Sequence, residues 1–344
     1  MKQTITLTMR SLLVTALLLA PLAALSLSAQ EFVLGDARTL PEPQPKLPIY
    51  DYAPDGHSTV MRMGDALLMF WPGHESYRTT GASIFEMRDC TKVLPIGGPD
   101  DFDNGGSWLY SVFRREDRRM LGFYHAEDHK FPLDPDSKWI AYKSIARCTS
   151  EDLGLTWSNR AQILTAHQPK PQKADWSGLG DHCTVWDEKK RRFVCFFQEG
   201  AILCMAMSED PDGKPGSWKK WFEGGFTEPG LGGRATPIPA LAKHRGGNPS
   251  VQWNTFLNTW IIVWHRWEGD IWISTSDDLV AWAPPKLLLS KPSETSRVWY
   301  PTLLGETDQV GGESVKLLYA EFPDSKAARR HFLARELAFR KTAP

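Results

Sequence analysis

One pattern constrains this chain more than any other. A unit of short apolar strands, closed by a Ser-acid-Asp turn and a Trp, is written along it several times. After Gly180 the order is Asp181-His182-Cys183-Thr184-Val185-Trp186, a charged turn, then Arg192-Phe193-Val194-Cys195-Phe196-Phe197. Ile202 to Met207, the turn Ser208-Glu209-Asp210 and Trp218 complete it. After Gly247 the same order recurs: Asn248 to Trp253, Trp260 to Trp264, Ile271 to Thr275, the turn Ser276-Asp277-Asp278, and Trp282. An earlier copy runs from Trp108 through Met120 to Tyr124 and Ala141 to Cys148, turns at Ser150-Glu151-Asp152 and reaches Trp157. Degenerate copies flank these at Ser58 to Arg88 and at Trp299 to Phe339.

Each unit reads as four short strands, and five units of roughly 45 to 65 residues account for the chain. Helical periodicity is nearly absent, and Gly, Pro, Asp and Asn break the aromatic-rich runs, so the class is all-β. Four-stranded units repeated radially are propeller blades. The expectation is a five-bladed β-propeller of four-stranded antiparallel blades, with a β-sandwich carrying long loops as the competing fold. In the repeated turn, Ser and Asp side chains bond nearby backbone amides and the Trp packs beneath. These turns are structural, not catalytic.

Residues 1-29 have the layout of a secretory signal peptide: Lys2 and Arg10, an apolar run from Leu12 to Leu27, and small residues through Ser28-Ala29. An uncleaved anchor is the alternative. The mature protein is expected to be secreted or periplasmic. Residues 30-50, with Pro41, Pro43, Pro45 and Pro48, read as an extended N-terminal arm, and 51-344 as the propeller domain. No other stretch approaches the ~20 apolar residues of a membrane span. A formal net charge of -1 offers no field for nucleic acid or an anionic membrane. The 5 cysteines are odd in number and form no CxxC pair, so a zinc ribbon is excluded and at least one thiol is free. Cys195 and Cys204 read as small core residues, and the compartment permits one disulfide.

In a meander blade, the start of the first strand and the end of the second lie on one face. Strand-one starts bring Asp55 and His57, Asp101 and Asp103, Asp181 and His182, Asn248, and Trp299 with Tyr300 to that face. Strand-two ends bring His74 and Glu75, then His125, Glu127, Asp128 and His129, then Gln198 and Glu199, His265, Arg266 and Glu268, and Glu321. The opposite loops, such as Arg114 to Arg119, read as solvated turns. Most of the 9 histidines fall on the first face, which therefore reads as the site.

Glycosidic cleavage needs one carboxyl to protonate the leaving oxygen and another to activate water or attack carbon. Their pKa values must be pushed apart, which burial and neighbouring carboxylates do. Asp55, Asp181 and Glu127 are the catalytic candidates. Asp55 and Asp181 open channel-lining strands, and Glu127 lies in the densest cluster, His125-Ala126-Glu127-Asp128-His129. Substrate binding falls to His57, Asp103, His125, Asp128, His129, His182, Glu199, Asn248, Arg266 and Trp299. Of the 15 Trp, Trp71, Trp176, Trp267 and Trp299 map on or near this face, where an aromatic plane stacks on a sugar ring. Arg266 could pair with Glu268 or with an acidic sugar.

The blades, the Ser-x-Asp…Trp turns and the strand-opening Asp residues resemble those of the five-bladed glycoside hydrolases that include families 43, 32 and 117. The resemblance implies that Asp55, opening blade one, is base or nucleophile, and that Asp181, opening blade three, orients substrate or tunes the acid. It also implies a Glu opening blade four as general acid. Here the sequence departs, with Gly247-Asn248-Pro249. Asn cannot donate and regain a proton, so either Glu127 or Glu199 takes the role or the protein is no standard hydrolase.

The function expected is hydrolysis of a glycosidic bond in an oligo- or polysaccharide, with a furanoside such as arabinan or fructan as one substrate class. The competing function is a non-catalytic carbohydrate-binding propeller, favoured by Asn248 and opposed by the Glu127 cluster. A sialidase would need an Arg triad, for which Arg266, Arg78 and Arg297 are a thin basis. The His125 to His129 cluster has donors that suit zinc or manganese, but it lacks the HExxH order and a helix to carry it. No catalytic metal and no cofactor are assigned. A structural calcium in the central channel would leave no mark in the sequence. A nucleophile-elbow motif is absent, and the paired glycines are loops rather than phosphate cradles.

Overall fold

The structure is a computed structural model that describes residues 31–115, 118–324 and 329–341. The signal-peptide segment 1-29 lies outside the described residues. Nearly all regular structure is antiparallel strand, in consecutive groups. The first comprises Thr59–Met63, Ala66–Gly73, Glu75–Gly81 and Met87–Leu94. The second comprises Gly106–Arg114, Met120–Asp128, Tyr142–Ser150 and Ser158–Thr165. Ser177–Asp187, Arg192–Glu199, Ile202–Ser208 and Trp218–Phe222 form the third, extended by Gly225–Pro229. Gly246–Asn254, Thr259–Arg266, Ile271–Ser276 and Lys286–Leu289 form the fourth. The last holds Arg297–Leu304, Ser314–Phe322 and His331–Arg340.

The last group is closed by Glu31–Leu34, which pairs antiparallel with His331–Arg340, and Arg38–Thr39 pairs with the same strand. The segment read as an extended arm is thus partly a strand of the last sheet. Its polar backbone groups are satisfied there instead of by water.

Alternation along the strands explains why the groups stack. In Arg192–Glu199, Phe193, Cys195 and Phe197 pack with Leu121, Phe123 and Ile145 of the second group, while Val194 and Phe196 pack with Ile262 and Trp264 of the fourth. Both faces are buried, so the strand reads as continuously apolar. Three further clusters repeat the arrangement. Leu68 and Phe70 join the first group to Leu109 and Tyr124 of the second. Ile261 and Val263 join the fourth to Leu303 and Leu317 of the last. Met69 and Trp71 join the first to Leu318 and Phe332 of the last. The sheets therefore close into a ring, as a propeller requires.

Side chains of the innermost strands bridge consecutive groups about the axis. Ser111 Oγ accepts from Thr184 N at 2.9 Å, Cys183 Sγ from Val251 N at 3.4 Å, Ser250 Oγ from Leu303 N at 2.9 Å, and Thr302 Oγ1 from Ser58 N at 2.9 Å.

The repeated turns form as expected. Asp152 Oδ1 accepts from Leu155 N and Thr156 N, and Ser150 Oγ accepts from Gly154 N. Asp278 Oδ1 does the same for Val280 N and Ala281 N. Trp157, Trp218 and Trp282 are buried beneath. Trp71 corrects the map of the aromatic residues. It is fully buried on the flank that carries Leu67 and Met69, with Nε1 donating to Thr79 Oγ1 at 2.7 Å. Cys195 and Cys204 are core residues, and no disulfide forms among the described residues.

Candidate active site

Two residues before three of these bridging side chains, a residue near the start of the inner strand interrupts the ladder: Asp181 before Cys183, Asn248 before Ser250 and Tyr300 before Thr302, while Asp55 precedes the innermost strand of the first group. Asp181, Asn248 and Tyr300 have φ of 47°, 49° and 57°. Register breaks accompany them, between Gly180 and Cys183, Gly247 and Ser250, and Trp299 and Thr302. Such a bulge re-aims a side chain out of the ladder, and Asp and Asn tolerate the left-handed conformation better than most residues.

Asp55 is held by a residue the sequence does not single out. Arg330 Nη1 donates to Asp55 Oδ1 at 2.9 Å and to Pro54 O at 2.6 Å. The Asp55 carbonyl accepts from Tyr110 OH at 2.9 Å. Tyr110 approaches so closely because residue 56 is glycine, where a Cβ would lie 2.1 Å from the hydroxyl.

Asp181 belongs to a connected chain. Its backbone N–H donates to His125 Nδ1 at 2.9 Å, which leaves the imidazole hydrogen on Nε2. That Nε2 lies 3.1 Å from Glu127 Oε1, and His129 Nε2 lies 2.8 Å from Glu127 Oε2. Asp181 Oδ1 is 3.6 Å from His125 Nδ1. A Cβ at Gly180 would lie 2.2 Å from His125 Nδ1, so only glycine admits the ring.

Burial alone would push the Glu127 carboxyl up, but the hydrogen bonds from His125 and His129 overcome it and hold it at about 2. Glu127 is therefore ionised with both oxygens occupied. It orients two imidazoles and has no proton to give, which corrects its expected role as general acid. Buried Tyr110 ties the cluster together. Its phenol is pushed well up by burial and then by the charges of Asp181, Asp55 and Glu127. The phenol of Tyr300 is pushed up by burial and by Asp55, with Arg330 opposing.

The other expected residues divide. His57 and His182 are buried along the channel, with Nδ1 3.2 Å from Thr302 Oγ1 and 3.4 Å from Thr184 Oγ1 respectively. Burial pushes the His182 imidazole well down and keeps it neutral. Asn248 is buried and its Oδ1 has no partner. Trp299 stacks on His265 with centroids 4.8 Å apart. Its Nε1 donates to Arg266 O at 3.2 Å, and Arg266 pairs with Glu268.

Asp103 is not brought to the Glu127 cluster. It is buried and accepts from Tyr124 OH and Arg160 Nη1, each at 2.9 Å. Asp128 pairs with Asn104 and with Lys170, beside the cluster. The Glu199 carboxyl is pushed up by burial, with Lys220 and His167 opposing, and its Oε2 is buried without a partner. Exposed Trp139, 6.3 Å from the His74 ring, is an aromatic the sequence map missed. Among the described residues no three metal-ligating side chains converge, and no helix is long and apolar enough to cross a membrane.

No protein-family model matches the sequence, and no curated protein is similar to it in sequence. Solved structures are similar to it in fold. A family 117 glycoside hydrolase from Zobellia galactanivorans superposes with a TM-score of 0.57 at 8% identity, over 90% of this chain and 90% of that one. The catalytic domain of a GH62 α-L-arabinofuranosidase from Coprinopsis cinerea gives 0.53 at 12% identity, over 89% and 96%. An α-L-arabinanase from Cellvibrio cellulosa gives 0.52 at 10% identity, over 82% and 91%. The likeness is one of fold. These neighbours are propeller-fold glycoside hydrolases, as the resemblance in the sequence implies, and a GH43 protein from Bacillus licheniformis is among them.

Proposed function

We propose that this chain is a secreted or periplasmic glycoside hydrolase built on five propeller blades, with Asp55 and Asp181 as its working carboxyl pair. The observation that carries this reading is the convergence of Asp55, Asp181 and the His125–Glu127–His129 cluster around Tyr110. Asp55, held by Arg330, is the partner that activates water or attacks the anomeric carbon. Asp181 delivers the proton to the leaving oxygen. His125, fixed by Glu127, accepts the Asp181 backbone N–H on Nδ1 and so holds Asp181 in position. Propeller-fold hydrolase neighbours support the class. Two of them act on arabinan or arabinofuranosides by name, so furanosides are the first substrates to try.

Asn248 favours a second reading, a carbohydrate-binding propeller without catalysis. It occupies the opening of the fourth group, where a third ionisable group would complete the ring of carboxylates. A release assay on plant, algal and bacterial polysaccharides separates the two. Hydrolysis by the wild type that is lost in Asp55→Asn and Asp181→Asn supports the enzyme. Binding of a glycan with no release of sugar supports the second reading.

A further inference from the structure

The rim beside the last strand group carries a cation that nothing in the proposed reaction uses. Lys92, Lys130, Lys170, Arg160, Arg266 and Arg330 each reach a carboxylate. Arg297, by contrast, reaches none among the described residues. Its guanidinium lies against two rings instead, 4.0 Å from the centroid of Trp299 and 4.5 Å from that of Phe322. Its Nε is buried and has no partner.

The position is part of the site. Arg297 is three residues before Tyr300, on the same inner strand. Trp299 stacks in turn on His265. Arg330, which holds Asp55, also lies over Phe322, 4.9 Å from its centroid. Two guanidiniums thus share one aromatic ring, and of the two only Arg330 is bonded to the Asp55 carboxylate. Each repels the other electrostatically. Arg330 spends Nη1 on Asp55 and Pro54 O, and its Nε too is buried without a partner.

A guanidinium packed against rings is held in place while an edge of N–H donors still lacks an acceptor. That edge matches the two oxygens of a carboxylate or sulfate. Aromatic cover removes water from the faces and strengthens the attraction for an anion. A neutral sugar would leave both the charge and the donors unanswered.

We propose that Arg297, backed by Arg330, binds an anionic substituent of the glycan, a ring carboxylate or a sulfate ester, so that the substrate class is an acidic glycan. This rests on the reading that the face around Asp55 and Asp181 binds sugar.

Calorimetric titration with glycan pairs that differ only in charge tests it. Uronic-acid oligosaccharides are compared with their methyl esters, and sulfated galactan oligosaccharides with desulfated forms. Wild type is expected to bind the charged member of one pair about 10-fold or more tightly than the neutral member, with the margin shrinking as salt is added. The pair that shows the margin identifies the anion as carboxylate or sulfate. Arg297→Gln should reduce the margin to less than about 3-fold, and Arg297→Lys should restore part of it. Thermal melts of both variants check that the aromatic stack survives. Equal affinity within every pair, or a margin that persists in a folded Arg297→Gln, overturns this inference alone. Absence of binding to any glycan, charged or neutral, overturns it together with the reading beneath it.

Discussion

Asp181 and Asn248 stand at the same place in consecutive strand groups. Each follows a glycine, each has a left-handed backbone, and each precedes by two residues a side chain that accepts the N–H of the next group. Yet Asp181 opens onto His125 and Glu127, whereas Asn248 is buried with an unpartnered carbonyl oxygen. Beyond Asn248 the ring turns aromatic and cationic, through Trp299, Tyr300, Arg297 and Arg330. The scaffold delivers a side chain toward the axis whatever its chemistry. Under the proposed function, reaction falls to the half built from the first three groups and recognition to the half built from the last two.

The sharpest way to break this division is to remove the two carboxyls of the first half and, separately, the amide that stands at the equivalent position in the second. Asp55→Asn and Asp181→Asn should each lower turnover by about 10² to 10⁴-fold, the range of a lost acid or base. Asn248→Ala should cost less than about 10-fold and act mainly on KM. Initial rates of sugar release check all three. A loss at Asn248 as large as that at Asp181 would mean that the fourth group shares in the chemistry.

Glu127→Gln comes next, with an expected loss of about 10 to 10²-fold, because it misorients His125 without removing either axial carboxyl. It also has a pH signature. The Glu127 carboxyl is depressed to about 2, so the stability it contributes is complete above about pH 4.5 and is lost as pH falls toward 2. The size is on the order of 3 kcal/mol. Acid unfolding should therefore flatten between those limits in Glu127→Gln, as read by circular dichroism.

Gly180→Ala tests the same half through packing. The added methyl group meets the His125 ring, and overpacking of this kind costs about 1 to 3 kcal/mol. Gly312→Ala, with nothing but Thr255 Oγ1 at 3.8 Å nearby, is the matched control and should be close to neutral. Chemical denaturation gives both values.

Much of this was legible in the sequence because it is local. Strand openings are marked by Gly-Asp and Gly-Asn pairs, the His125 to His129 cluster is contiguous, and the turns repeat their Ser, Asp and Trp. What could not be read depends on distance or on side-chain direction. Arg330 and Asp55 are 275 residues apart and meet only because the ring closes. Likewise Glu31–Leu34 finds its partner at the far end of the chain. Trp71 sits one alternation away from the face on which its neighbour His74 lies, so period alone did not separate core from site. Glu127 looked like a proton donor because a count of carboxylates does not show two imidazoles already bonded to it.

The turns supply the smallest test, and it bears on both halves at once. Asp152 accepts from Leu155 N, Thr156 N and Thr156 Oγ1, and these bonds, against the cost of burial, hold its carboxyl at about 2. Asp210, in the equivalent turn of the third group, accepts from Asp212 N through Oδ1. Asp152→Ala should then cost about 1 kcal/mol and Asp210→Ala a few tenths, by the usual net worth of such bonds. The Asp152 contribution is present above about pH 4 and fades as pH falls toward 2, so the two variants should converge in acid. Neither turn touches the axis, and kcat should be unchanged in both. A fall in kcat with Asp152→Ala would show that the outer turns set the geometry of the carboxyl pair, and the division between reacting and recognising halves would lose its independence from the scaffold.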